Sequence, residues 1–128
     1  ENDLPVSHCY HSDYSLKDGY NYCMTMLSHP QPPTAIFAVS DWLAVGVLDA
    51  LYDTDHLMEV SVVGFDDSSI ARAFRPQITT VTQPRFEMGK IAMRLLREKI
   101  VNIGSPNIRK TVEHKLVIRD TTRNGRAW

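Results

Sequence analysis

Ala35-Ile36-Phe37-Ala38-Val39 is a continuous apolar run rich in β-formers, the pattern of a strand buried on both faces. Val60 to Phe65 is its counterpart further along. Between and around these runs the apolar period changes. Leu16, Tyr20, Cys23 and Leu27 recur at helical spacing, so the pattern predicts a helix over 16–27, with Ser15 as its N-cap. Pro30, Pro32 and Pro33 then force a turn. Trp42 to Tyr52 reads as an apolar helix and Ser68 to Phe74 as a short one ended near Arg75-Pro76. β-Branched Ile78 to Thr82 reads as extended. The longest helix is predicted over Arg85 to Ile103, where Met88, Ile91, Ala92, Leu95, Leu96, Lys99 and Ile100 trace one side; Gly104 and Pro106 end it. Leu4 to Tyr10 and Lys115 to Ile118 are predicted as flanking strands, and Arg119 to Trp128 as a polar tail.

Strands alternating with helices define an α/β fold with a mostly parallel sheet. In open sheets of this kind ligands bind beyond the carboxyl ends of the strands. Asp41 follows one predicted strand and Asp66 another, so parallel pairing puts both carboxylates along one sheet edge, opening into a shared crevice.

Bulk properties narrow the function. A chain of 128 residues is one ordinary domain, and 43% apolar with 23% charged residues is the composition of a globular protein. A net charge of -1 argues against bulk electrostatic binding of nucleic acid by these residues. No apolar run reaches membrane-spanning length, and Glu1-Asn2-Asp3-Leu4-Pro5 lacks the parts of a signal peptide. Without a starting Met, the chain is expected to be part of something longer. Two cysteines, Cys9 and Cys23, are read as reduced thiols in a cytoplasmic protein rather than as a disulfide framework. His8-Cys9-Tyr10-His11 is the one cluster that suggests a metal, and no second ligand pair follows it, so no metal and no cofactor is expected. An enzyme using Asp66 and Asp67 on Mg²⁺, with Asp41 as a third carboxylate, would need a phosphate-cradling Gly-rich loop, and none accompanies them.

Four segments carry a family likeness. They are Thr34-Ala35-Ile36-Phe37-Ala38-Val39-Ser40-Asp41, Ala44-Val45-Gly46-Val47-Leu48, Val60-Ser61-Val62-Val63-Gly64-Phe65-Asp66-Asp67, and Thr79-Thr80-Val81-Thr82-Gln83-Pro84 with Met88-Gly89. In this order they resemble the lactose/galactose repressor (LacI/GalR) family, bacterial transcription regulators with an effector domain like periplasmic sugar-binding proteins. The resemblance implies an incomplete sensor lobe of the periplasmic-binding-protein-like (type I) fold. Residues 1–82 would form part of the C-terminal lobe, 83–106 a crossover helix belonging to the N-terminal lobe, and 107–128 a return strand and tail. That helix would leave its apolar side exposed here, or extend, or swap.

The resemblance also implies roles. Asp66 matches the carboxylate that accepts from effector hydroxyls, the alternative being a cap on the next helix; Asp67 is expected to cap or stay solvated. Tyr14 matches the aromatic that covers a flat effector face, the alternative being plain packing. Ser40 stands where many members carry an Asn. Asp41 matches an Asp near the pocket, with N-capping as its alternative, and Gln83 marks the crossing between lobes. Trp42, Leu43 and Phe74 fall at the homodimer interface, though they would serve a core equally well. Between Tyr52 and Val60 the family's Gly and Pro are missing from a shortened loop. The expected partners are a small-molecule effector, a second copy of the chain, and operator DNA reached only through an N-terminal headpiece outside these residues. A periplasmic sugar-binding receptor of a transport system is the rival reading.

Overall fold

The structure is a computed structural model and describes residues 9–11, 13–104 and 106–122. The chain runs α1 (Leu16–Leu27), β1 (Ala35–Phe37), α2 (Asp41–Asp53), β2 (Ser61–Asp66), α3 (Ser69–Ala73), β3 (Thr79–Thr82), α4 (Arg85–Val101) and β4 (Lys115–Val117). The strands lie in the order β1-β2-β3-β4. The first three are parallel, with Val63 beside Thr79 and Asp66 beside Thr82, and β4 returns antiparallel with Thr80 opposite Val117. The strand expected over Leu4 to Tyr10 falls mostly outside the described residues.

Local chemistry starts both large core helices. The Ser15 hydroxyl accepts from the Asp18 amide at 3.1 Å, and the Ser40 hydroxyl accepts from the Leu43 amide at 3.2 Å, each satisfying a free donor of the first turn. α2 is apolar on nearly every side and lies between α1 and β2. Two glycines permit that approach. A methyl group at Gly19 would strike the Leu43 carbonyl, and one at Gly46 would strike the Leu16 carbonyl, so each helix presses on backbone of the other. Leu48, Leu51, Val62 and Ile78 form the centre of the core. Cys23 is part of it, and burial pushes its thiol up to about 11.

The expectation that the first strand is buried on both faces is corrected. Ile36 is buried, but Ala35, Phe37 and Val39 are exposed, because α2 covers one face of the sheet only. On the other face Phe37 meets Phe65 edge-on at 6.4 Å, and Leu116 of β4 and Ile118 just beyond it are also exposed. α4 behaves similarly: none of its residues is buried, and Phe86 and Met93 face solvent. Exposed apolar residues on this helix were one of the outcomes anticipated above. It stops at Val101, two residues before the expected Ile103, which is itself 95% exposed. Among the described residues no helix is long and apolar enough to cross a membrane.

The loop that lacks the family's glycine solves its turn with aspartate. Asp55 takes φ 60°, Thr54 Oγ1 donates to the Ala50 carbonyl at 2.7 Å, and the His56 amide donates to Leu51 at 2.9 Å. Aspartate is one of the few L-residues that visit this region readily.

Asp55→Gly is accordingly expected to raise the unfolding free energy by up to about 1 kcal/mol, read from denaturant unfolding. In the native protein a thiol reagent at neutral pH is expected to modify exposed Cys9 and to spare Cys23 until the chain is unfolded, since a protonated, buried thiol is not the nucleophile.

Candidate functional site

The carboxyl ends of the three parallel strands bring together Ser40 and Asp41 after β1, Asp66, Asp67 and Ser68 around the end of β2, and Gln83 after β3. Asp66 is half-buried, and its Oδ1 accepts from Gln83 Nε2 at 2.6 Å. Its φ is positive, 110°, and Asp67 follows at φ 48°. Two successive aspartates in this region turn the chain sharply off the strand before α3 begins.

Asp41 does not open onto this edge. It is 1% exposed and its carboxylate faces inward. Oδ2 accepts from the Ser68 amide at 2.6 Å and from Ser68 Oγ at 2.8 Å, while Oδ1 accepts from Thr80 Oγ1 at 2.6 Å. Gly64 leaves room for it, since a Cβ there would lie 2.5 Å from Asp41 Oδ1. Thr80 Oγ1 in turn accepts from the Asp67 amide at 3.4 Å. Ser40 is buried with its hydroxyl on the helix start. Asp41 thus takes a structural place, holding the loop after β2 rather than opening onto the edge, and Ser40 serves as the N-cap of α2.

Asp67 departs from the expected cap or solvated carboxylate. Its Oδ1 lies 2.5 Å from Arg119 Nη2, a pair only 19% and 11% exposed on the two side chains, and 3.8 Å from Nε of the exposed Arg72. Arg119 is therefore no part of a solvated tail. It donates from Nη1 to the Ile78 carbonyl at 2.8 Å and from its amide to Thr79 Oγ1 at 2.8 Å. Asp120 and Gln77 exchange two bonds of 2.9 Å, and Thr121 exchanges two with the Val62 backbone at 2.8 and 2.7 Å. The reading of Arg119 onward as a polar tail is corrected for residues 119–122: each finds a partner at the amino end of β2 or β3 or on the loop after β2.

Tyr14 is 62% exposed with φ 63°, two residues before α1. Leu43, expected at a dimer interface, is instead in the core at 6% exposure, against Gly19. Phe74 is half-buried against the core, and Trp42 is 54% exposed. A cavity of about 460 Å³ lies elsewhere, between α4 and the chain after it, lined by Leu95, Lys99 and Ile108 among others. It shares no residue with the strand-end cluster. Among the described residues no three His, Cys, Asp or Glu side chains gather as metal ligands would.

A mostly parallel four-strand sheet with helices packed against one face is the architecture of the periplasmic-binding-protein-like (type I) fold. The chain belongs to the periplasmic binding protein-like domain family, which matches residues 4–122. Its relatives include the ribose operon repressor of Escherichia coli (strain K12), 33% identical over 100 residues that make up 77% of this chain and 30% of that protein. A solved protein of Bacillus cereus subsp. cytotoxis NVH 391-98, named as a transcriptional regulator LacI, superposes with a TM-score of 0.88 at 30% identity, over 94% of this chain and 43% of that one. A LacI family transcriptional regulator from Enterococcus faecium, solved with bound ribose, superposes at 0.73 with 26% identity, over 84% of this chain and 40% of that one. The likeness to the lactose/galactose repressors thus holds, and the chain spans about a third of the length of the curated relatives it matches.

Asp41→Asn keeps the shape and replaces one acceptor oxygen with a donor facing the Ser68 or Thr80 donors. Chemical denaturation should show a loss of about 2 to 4 kcal/mol, as for a buried charge-assisted network broken at one member.

Proposed function

We propose that this chain is the effector-sensing segment of a LacI/GalR-type transcription repressor, and that its effector is a sugar or a related small molecule with neighbouring hydroxyls. The observation that carries the reading is Asp66: a half-buried carboxylate at the carboxyl end of β2, turned out of the strand by φ 110° and steadied by Gln83. A carboxylate has lone pairs for two adjacent hydroxyls beyond the one Gln83 occupies, and Gln83 retains an amide oxygen and a second N–H. Tyr14, exposed two residues before α1, is the aromatic we assign to the apolar face of a sugar ring. Ser40 and Asp41 support the site from behind.

In the whole protein the effector lies between two lobes and changes their relative orientation, and with it the way a homodimer presents its headpieces to operator DNA. The effector can shift DNA affinity only by its differential affinity for the two arrangements. Trp42 and the half-buried Phe74 are the residues we assign to the homodimer contact; Leu43 is withdrawn from it. That the relatives are repressors favours a cytoplasmic regulator over a transport receptor.

The test is calorimetric titration of the full-length protein with D-ribose and a panel of hexoses and nucleosides. Asp66→Ala should weaken binding of the best of these by about 1.5 to 3 kcal/mol, the range for a hydrogen bond to a charged group. Gln83→Ala should weaken it by about 1 kcal/mol. Unchanged affinity in Asp66→Ala would remove that residue from the site and the reading with it.

A further inference from the structure

The loop that aims Asp66 is held by something other than its own backbone. Asp67 at φ 48° lies near the left-handed region that aspartate visits readily, but Asp66 at φ 110° lies outside it, a conformation that persists only where surrounding contacts over-determine it. On one side the Ser68 amide and hydroxyl are fixed on buried Asp41. On the other, the Asp67 carboxylate meets Arg119, whose side chain is 11% exposed and whose second guanidinium nitrogen and backbone amide are tied to Ile78 and Thr79. Arg72 approaches the same oxygen, but at 3.8 Å from a side chain 62% exposed, so solvent screens it and Arg119 is the stronger partner.

Arg119 also stands at a telling place in the chain. It lies two residues beyond β4, which reaches the sheet only after α4 has carried the chain away from the core. Its guanidinium is a rigid fork that joins this returning segment to the loop bearing the proposed effector carboxylate.

We propose that Arg119 is a positioning residue for effector recognition. Its ion pair with Asp67 holds Asp66 in the orientation that meets the hydroxyls, and it makes effector affinity depend on how β4 is seated. The proposal rests on the assignment of Asp66 to the effector site, and it extends that assignment to a residue that touches no ligand.

The experiment uses the full-length protein with Arg119→Met, Arg119→Lys, Asp67→Asn, the Arg119→Met/Asp67→Asn double variant, and Thr121→Val as a control. Thr121→Val removes a buried hydroxyl from the same returning segment without touching Asp67. Amide hydrogen exchange without any sugar is read first, then calorimetric titration with D-ribose. Arg119→Met should speed exchange at Asp67 and Ser68 by about tenfold relative to the amides of β2 and β3, and weaken D-ribose binding by a similar factor. Arg119→Lys should recover a large part of both effects, and the double variant should bind no more weakly than the worse single one. Thr121→Val should lower the melting temperature while exchange at Asp67 and Ser68 rises only in step with the sheet. The proposal is overturned if Arg119→Met behaves like Thr121→Val, or if the two single variants add. If the wild-type protein does not bind D-ribose, the choice of that sugar fails, and the exchange comparison, which needs no sugar, decides on Arg119.

Discussion

The carboxyl edge of the sheet depends on one buried carboxylate. Asp41 is almost fully removed from water, and a carboxylate in that position is tolerated only if its oxygens are met by donors. Three donors meet it: the Ser68 amide, the Ser68 hydroxyl and the Thr80 hydroxyl. They come from the loop after β2 and from β3, while Asp41 itself opens α2 and Gly64 of β2 gives it space. One side chain thereby fixes the relative placement of a helix start, a loop and two strands. Its position in the first turn of α2 adds a favourable interaction with the helix dipole.

Much of this architecture could be read from the order of residues. α1 matches its predicted span because helical apolar spacing and a capping serine agree over 16–27, and local consistency of that kind leaves few alternatives. The strands after Thr34, Glu59 and Gln77 were visible as β-branched and apolar runs, and the strand-end placement of Asp41 and Asp66 followed from their order alone. Burial was less legible. Periodicity tells which residues can be covered, and says nothing of whether the cover lies within the same stretch of chain. Phe37, Val39 and the apolar side of α4 have the composition of an interior and remain at the surface of the described residues.

The polar contacts were the hardest to foresee. A carboxylate just beyond a strand can face the ligand edge or turn back toward the core, and what decided it for Asp41 was a missing Cβ at Gly64, 23 residues later in sequence. Arg119 to Thr122 looked like solvated tail because charge and hydroxyls near a chain end usually are. Their partners lie about forty residues earlier, at Gln77, Ile78 and Thr79, or further back at Val62 and Asp67. Local pattern carries no information about pairings of that range.

There is a physical reason for holding this edge with directional hydrogen bonds instead of apolar packing. Apolar contacts are insensitive to small rotations, so a loop packed by them could present Asp66 over a range of angles. Hydrogen bonds weaken steeply away from their preferred geometry. Ser68 is tied to Asp41 on one side and Asp67 to Arg119 on the other, so the two residues at positive φ lie between directional contacts, the arrangement on which the proposal for Arg119 rests. In the function proposed above, a carboxylate fixed before its ligand arrives would not have to be ordered by it, and the binding free energy would remain available to favour one lobe arrangement over another.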